Sequence, residues 1–322
     1  MTRRGAPDVS DLVTRAREGD AGAVARLITL VEDASPALRE VMEALRTHVG
    51  RAHVLGITGA PGVGKSTSTN ALVSALRQAG KRVGVLAIDP SSTFSGGALL
   101  GDRVRMGDHA LDPGVYIRSM GSRGHLGGLA RSTPQAVRVL DAAGCDMVIV
   151  ETVGVGQSEV EIAGLADSTL VLLAPGMGDG IQAAKAGILE IGDLYAVNKA
   201  DREGADSTRR ELRGMLAMAQ RAEGAWQPPV VSTAATTGEG IDDLAAEIDR
   251  HAAWLTGTGE LARRRTLRAR REVEAIALTA LREQWARTAG GEDGNVLDAL
   301  AGRVAASEID PYAAADRLLG LP

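Results

Sequence analysis

Cysteine, aromatic residues and lysine are all scarce in this chain of 322 residues. A single cysteine, Cys145, excludes a disulfide framework and any cysteine-cluster metal site. Seven aromatics (three Trp, three Tyr and one Phe) are too few to stack single-stranded nucleic acid, and they require an aliphatic, alanine-rich core. With 36 basic residues against 41 acidic ones, the net charge is −5, and no dominant basic field exists to grip a phosphate backbone. The five histidines include no H-x-x-x-H pair. No apolar run approaches the roughly 18–20 residues of a membrane span. The first twenty residues also lack the apolar stretch of a signal peptide. These features predict no nucleic-acid partner, no membrane and a cytoplasmic location.

Only four of the 36 basic residues are lysine: Lys65, Lys81, Lys185 and Lys199. Where Arg is the habitual choice, a retained Lys marks a place that needs a slim ammonium or its alkyl stem. Three of the four fall in loops that carry chemistry, as shown below. Lys81 has no evident role in the sequence.

Three regions follow one another. Residues 1–50 read as a helical extension, with apolar positions such as Leu12, Val24, Leu27, Ile28, Leu38, Val41 and Leu45 at helical spacing and a helix start at Ser35-Pro36. Residues 51–257 alternate helical stretches with six short aliphatic runs: 53–58, 82–89, 146–152, 168–174, 193–198 and 228–233. Near-continuous Val, Leu and Ile in such runs predict an α/β fold with a mostly parallel central sheet buried on both faces. In that architecture function gathers beyond the carboxyl ends of the strands. Residues 258–322 form a helical arm. It opens with one long helix over 260–289, with six arginines in the first half (Arg263 to Arg271) and apolar positions Val273, Ile276, Ala277, Ala280, Leu281 and Trp285 in the second.

The first run leads into Gly59-Ala60-Pro61-Gly62-Val63-Gly64-Lys65-Ser66-Thr67, which matches G-x-x-x-x-G-K-[ST] at every fixed position. The glycines let backbone N–H groups turn inward around phosphates, and the following helix adds its positive N-terminus. Lys65 can neutralise the β/γ-phosphates, and the Ser66 hydroxyl can ligate Mg²⁺. A P-loop binding a nucleoside triphosphate is the reading.

The base is read from the fifth run, which ends in Asn198-Lys199-Ala200-Asp201. A carboxylate in the base plane accepts from both the ring N–H and the exocyclic amine of guanine. Adenine offers no such pair, and the carboxylate would be left unpaired. The Lys199 stem covers one face of the base and Asn198 braces the loop. Ser232-Thr233-Ala234 supplies a third base-contacting loop. GTP and GDP are therefore the expected ligands.

The third run ends in Glu151-Thr152-Val153-Gly154. An acid here can hold Mg²⁺ directly or through water, and the Gly154 N–H can sense the γ-phosphate. Asp89, which ends the second run, and Asp102 in the polar, Gly-rich stretch after it can complete the metal shell. Lys65, Asp102 and Glu151 are the catalytic candidates, with Ser66, Asp89, Asp102 and Glu151 at the metal. Gln157 could position water, and Arg103, Arg105, Arg118 or Arg123 could act as an arginine finger.

The segments GITGAPGVGKST, AIDPSSTFSGGALLGDRVRM and VETVGVGQSE, together with NKAD, closely resemble the MeaB/ArgK family of P-loop GTPases. The resemblance implies a chaperone of an adenosylcobalamin-dependent acyl-CoA mutase, typically methylmalonyl-CoA mutase. Such a chaperone gates cofactor delivery and protects or reactivates the enzyme. It further implies that PGMGDGIQAAK is a third switch with Asp179, Gln182 and Lys185 as its polar members, and that the long C-terminal helix is a homodimerisation arm. The chain differs from related sequences at Gly180 and Ala186, where larger or charged residues are frequent. Intrinsic hydrolysis is expected to be slow and accelerated by a partner. The alternatives are a nickel-insertion GTPase of the same fold group, an ATP-driven kinase or transport component, and a nucleotide-regulated scaffold with negligible turnover. NKAD argues against ATP, and the lack of His tracts or Cys–His pairs argues against nickel.

Overall fold

The computed structural model describes residues 8–89, 107–109, 111–121, 132–152, 158–176, 188–218, 222–288 and 296–320. Seven strands among them form one all-parallel sheet: β1 (His53–Thr58), β2 (Val83–Asp89), β3 (Val115–Gly121), β4 (Met147–Thr152), β5 (Ser168–Leu173), β6 (Leu194–Val197) and β7 (Val230–Ser232). Their order is β3-β2-β4-β1-β5-β6-β7, which places β1 between β4 and β5.

Both faces of the sheet are covered, and alternate residues of each strand supply them. Leu55 and Ile57 of β1, Val83 and Val85 of β2, and Ile149 of β4 pack with α4 (Lys65–Gln78) and α9 (Ile241–Gly257). Val54, Leu86, Ile88, Val148 and Val150 point the other way, into a core shared with α5 (Thr133–Ala142) and α6 (Ser158–Leu165). Helices α7 (Ile188–Ile191) and α8 (Ala205–Met218) complete this layer around β5 to β7.

The three N-terminal helices, α1 (Val9–Arg17), α2 (Ala21–Glu32) and α3 (Leu38–Leu45), bury Val9, Leu27, Ile28 and Leu45 in the same core as α5. Asp8 caps α1 by accepting from the Asp11 N–H at 3.0 Å, and Asp20 caps α2 at Gly22 and Ala23. The third helix starts at Leu38 rather than at Ser35-Pro36. Ser35 instead closes a turn: its Oγ accepts from the Ala37 N–H and its carbonyl from the Leu38 N–H, after Ala34 has taken a left-handed φ of 45°.

Six of the seven strands coincide with the aliphatic runs. The seventh, β3, reads VYIRSMG and interrupts its apolar residues with Arg118 and Ser119, because it lies at the sheet edge and is only partly covered there. Arg118 is tied by its guanidinium to Glu32 of α2 and so belongs to the packing of the N-terminal helices. The turn before β3 is held by a two-pronged pair, Arg77 with Asp112 at 2.9 Å on each prong. That guanidinium holds the Asp112 carboxyl below the ordinary carboxylate range. Lys81, silent in the sequence, bonds Asp249 of α9 at 2.6 and 2.7 Å. Cys145 is buried before β4, and burial pushes its thiol up to about 12.

Two compact units divide the chain, Met1–Leu261 and Ala262–Pro322. The second contains most of α10 (Glu260–Thr288), together with α11 (Val296–Ala305) and α12 (Pro311–Leu319), which pack on each other. Asp310 caps α12, with Pro311 at its first position and Gly320 at its end. Among the described residues no helix is long and apolar enough to cross a membrane.

Candidate nucleotide site

The loop between β1 and α4, residues 59–64, leaves the carboxyl edge of the sheet at its middle strand. Two of its glycines are compelled by what touches them. Gly59 has φ 146°, and a Cβ there would lie 2.3 Å from the Leu172 carbonyl oxygen of β5. Gly64 has φ 96°, and a Cβ would lie 2.4 Å from Asn198 Nδ2. Both positions combine a left-handed backbone with a lack of space, so only glycine fits. Lys65 folds back across the loop, its Nζ donating to the Gly59 carbonyl at 2.7 Å and the Ala60 carbonyl at 3.1 Å.

Beside this loop stands β4. Its register sets Glu151 opposite Ile57, one residue before the end of β1. Glu151 is buried and accepts from Ser66 Oγ at 2.6 Å and from Thr69 Oγ1 at 2.9 Å. Both carboxylate oxygens are thereby fastened to the first turns of α4. Thr69 belongs to no motif, and its bond to Glu151 exists because β4 lies beside β1.

On the other side, β6 delivers Asn198 and Lys199. The Asn198 amide is almost fully buried and donates to the Val63 carbonyl at 2.8 Å. Its oxygen accepts from the Ala235 N–H at 3.1 Å and from Thr233 Oγ1 at 3.3 Å. Lys199 takes a left-handed φ of 59° and donates from Nζ to the Gly62 carbonyl at 2.7 Å. The Ala200 N–H donates to the Thr233 carbonyl at 2.9 Å. Asp201 follows, exposed at the rim. The structure thus brings together residues 59–66, Glu151, Asn198, Lys199 and Thr233 at one edge of the sheet, with Asp201, Ser232 and Ala234 on the same loops.

Other predicted site residues lie outside the described residues: Asp102, Gly154, Gln157, Asp179, Gln182, Lys185, Arg103, Arg105 and Arg123. The same holds for the side chain of Asp89, whose backbone closes β2. Arg118 is the one finger candidate that is described, and its pairing with Glu32 commits it elsewhere.

Residues 24–289 match the family model described as methylmalonyl Co-A mutase-associated GTPase MeaB. The chain belongs to the MeaB family. A protein of Pyrococcus abyssi assigned as a GTPase is 45% identical over 97% of this chain and 96% of its own length. GTPase ArgK of Escherichia coli is 37% identical over 79% of this chain and 78% of its own. The solved structure titled LAO/AO transport system kinase superposes with a TM-score of 0.71 at 28% identity, covering 99% of this chain and 98% of that one. Like its MeaB relatives, the chain is a GTPase with a P-loop fold that binds guanine nucleotide.

Gly64→Ala is expected to weaken GTP binding by about 100-fold or more, since it strains φ and displaces Asn198. Nucleotide titration on protein with an unchanged circular dichroism spectrum checks this. Near wild-type affinity would mean that the loop tolerates a side chain against Asn198.

Proposed function

We propose that this MeaB-family GTPase gates delivery of adenosylcobalamin to an acyl-CoA mutase of the methylmalonyl-CoA mutase type, and protects or reactivates that enzyme. The observation that carries the reading is the family match over residues 24–289, whose description is mutase-associated. A mouse relative named methylmalonic aciduria type A homolog, mitochondrial, 36% identical over 80% of this chain and 66% of its own, supports it.

Within this reading, Lys65 and the loop N–H groups take the triphosphate, and Asp201 accepts from the guanine edge while Lys199 covers the ring. Ser66 and Glu151 are suited to Mg²⁺. The Ser66 hydroxyl can keep its proton on Glu151 while its lone pairs face a cation, and Glu151 stays oriented by Thr69. Asp89 and Asp102 would complete that shell. Bound Mg²⁺ would neutralise charge that develops on the phosphate oxygens during in-line attack by water. Asp179, Gln182 and Lys185 form the switch that passes nucleotide state to the mutase. A homodimer is supported by α10, where Val273, Ile276 and Leu281 are exposed at helical spacing. The partners are then a mutase and a second copy, in the cytoplasm.

Two outcomes follow. Asp201→Asn should shift preference from GTP toward xanthosine triphosphate by about 100-fold; an unaltered preference for GTP removes Asp201 from base recognition. Capture from cell extract should retain an acyl-CoA mutase in a GTP-dependent manner, and adding that mutase should raise GTP turnover by about tenfold or more. Absence of any mutase with and without GTP, and a flat rate, would refute the chaperone reading.

A further inference from the structure

A cavity of about 270 Å³ opens far from the nucleotide loop, lined by Arg17, His48, Arg51, Asp141, Gly144 and Asp146. Arg51 precedes β1 and Asp146 precedes β4, so it sits at the amino ends of the strands whose carboxyl ends carry the P-loop and Glu151. Six residues of strand separate the two edges by about 20 Å.

Two arginines in the lining and a third at its wall stand against two carboxylates, a small basic excess. Asp141 is buried, and its carboxylate accepts three successive backbone N–H groups, those of Gly50, Arg51 and Ala52. Asp146 accepts from the Arg82 N–H at 2.7 Å. Asp141 is held at both carboxylate oxygens and fixes the stretch that carries Arg51, whereas Asp146 is bonded at one oxygen, and both keep their negative charge. By contrast, the side chains of Arg17, His48 and Arg51 make no hydrogen bond or ion pair with any described residue.

A third guanidinium borders the same wall. A Cβ on Gly144 would lie 3.1 Å from Arg82 Nη1, and Arg82 is held in place by donating to the Tyr116 hydroxyl at 2.8 Å. Gly144, with φ 84°, leaves that guanidinium uncovered by any side chain of its own. The three guanidinium groups come from three separate segments: the end of α1, the stretch between α3 and β1, and the residue before β2. Converging guanidinium groups from different segments suit an oxyanion with oxygens on several sides, whereas a planar carboxylate is satisfied by one fork. At about 30 Å³ per water, the cavity has room for roughly nine waters, enough for a phosphate with a small substituent.

We propose that this cavity is a second anion site, separate from the nucleotide loop, which takes a small phosphate-bearing ligand such as inorganic phosphate, pyrophosphate or a short phosphomonoester.

The test is calorimetric titration of the full chain at constant ionic strength, with its P-loop kept saturated by GDP. Pyrophosphate, inorganic phosphate and succinate serve as probes. Pyrophosphate should bind saturably at one site per chain and more tightly than succinate. Arg17→Ala and Arg51→Ala should each weaken it by about tenfold, and the double variant should abolish it. GDP affinity and the circular dichroism spectrum should stay unchanged in all three variants, because both arginines are exposed and remote from the P-loop. The proposal is overturned if GDP-loaded protein shows no saturable pyrophosphate binding, if the double variant binds as the wild type does, or if succinate binds more tightly.

Discussion

The Asn198 amide is the contact on which the rest of the nucleotide site depends. One side chain, almost wholly out of water, donates into the phosphate loop at Val63 and accepts from the loop after β7 at Ala235 and Thr233. It joins three loops that are distant in the chain and neighbours only through the sheet. The strand order sets the reach: β6 lies two strands from β1, about 10 Å away. A side chain of that length pointing inward meets the loop's carbonyls, and the Lys199 stem spans the remaining distance to Gly62. The absence of a side chain at Gly64 is the complement of the same contact, since the amide fills that space.

Glu151 does the corresponding work from the other side. Through Ser66 and Thr69 it fastens β4 to the first turns of α4. The phosphate loop is thus bracketed, by β4 through a carboxylate and by β6 through an amide, each buried and each hydrogen-bonded at both of its polar atoms. In a low-dielectric setting such contacts are costly to break, so the loop's shape is set by the protein. Preorganised N–H groups of this kind stabilise phosphate charge without reorganising when it changes. In the proposed function, signalling to a partner falls to segments outside this bracket, such as the third switch proposed after β5.

The parts of this site that could be read from the sequence are those whose chemistry is local. Residues 59–67 and 198–201 announce themselves because their spacing is imposed by backbone turns, and six strands do so because a parallel sheet buried on both faces demands aliphatic runs. The parts that escaped are pairwise and distant. Thr69 meets Glu151 across 82 residues and Lys81 meets Asp249 across 168, and neither pairing exists until the sheet is ordered. β3 escaped because an edge strand can carry Arg118, whose charge is satisfied by Glu32 of α2. The helix start at Ser35-Pro36 failed for a subtler reason: a serine that could cap a helix closes a tight turn equally well.

Native-state hydrogen exchange tests the central claim most directly. In Asn198→Ala without nucleotide, the account predicts that amides of residues 62–66 exchange about tenfold faster or more, while those of β2 and β3 keep their wild-type rates. Unchanged protection across the phosphate loop would show that the loop holds its shape without Asn198, and would contradict the account.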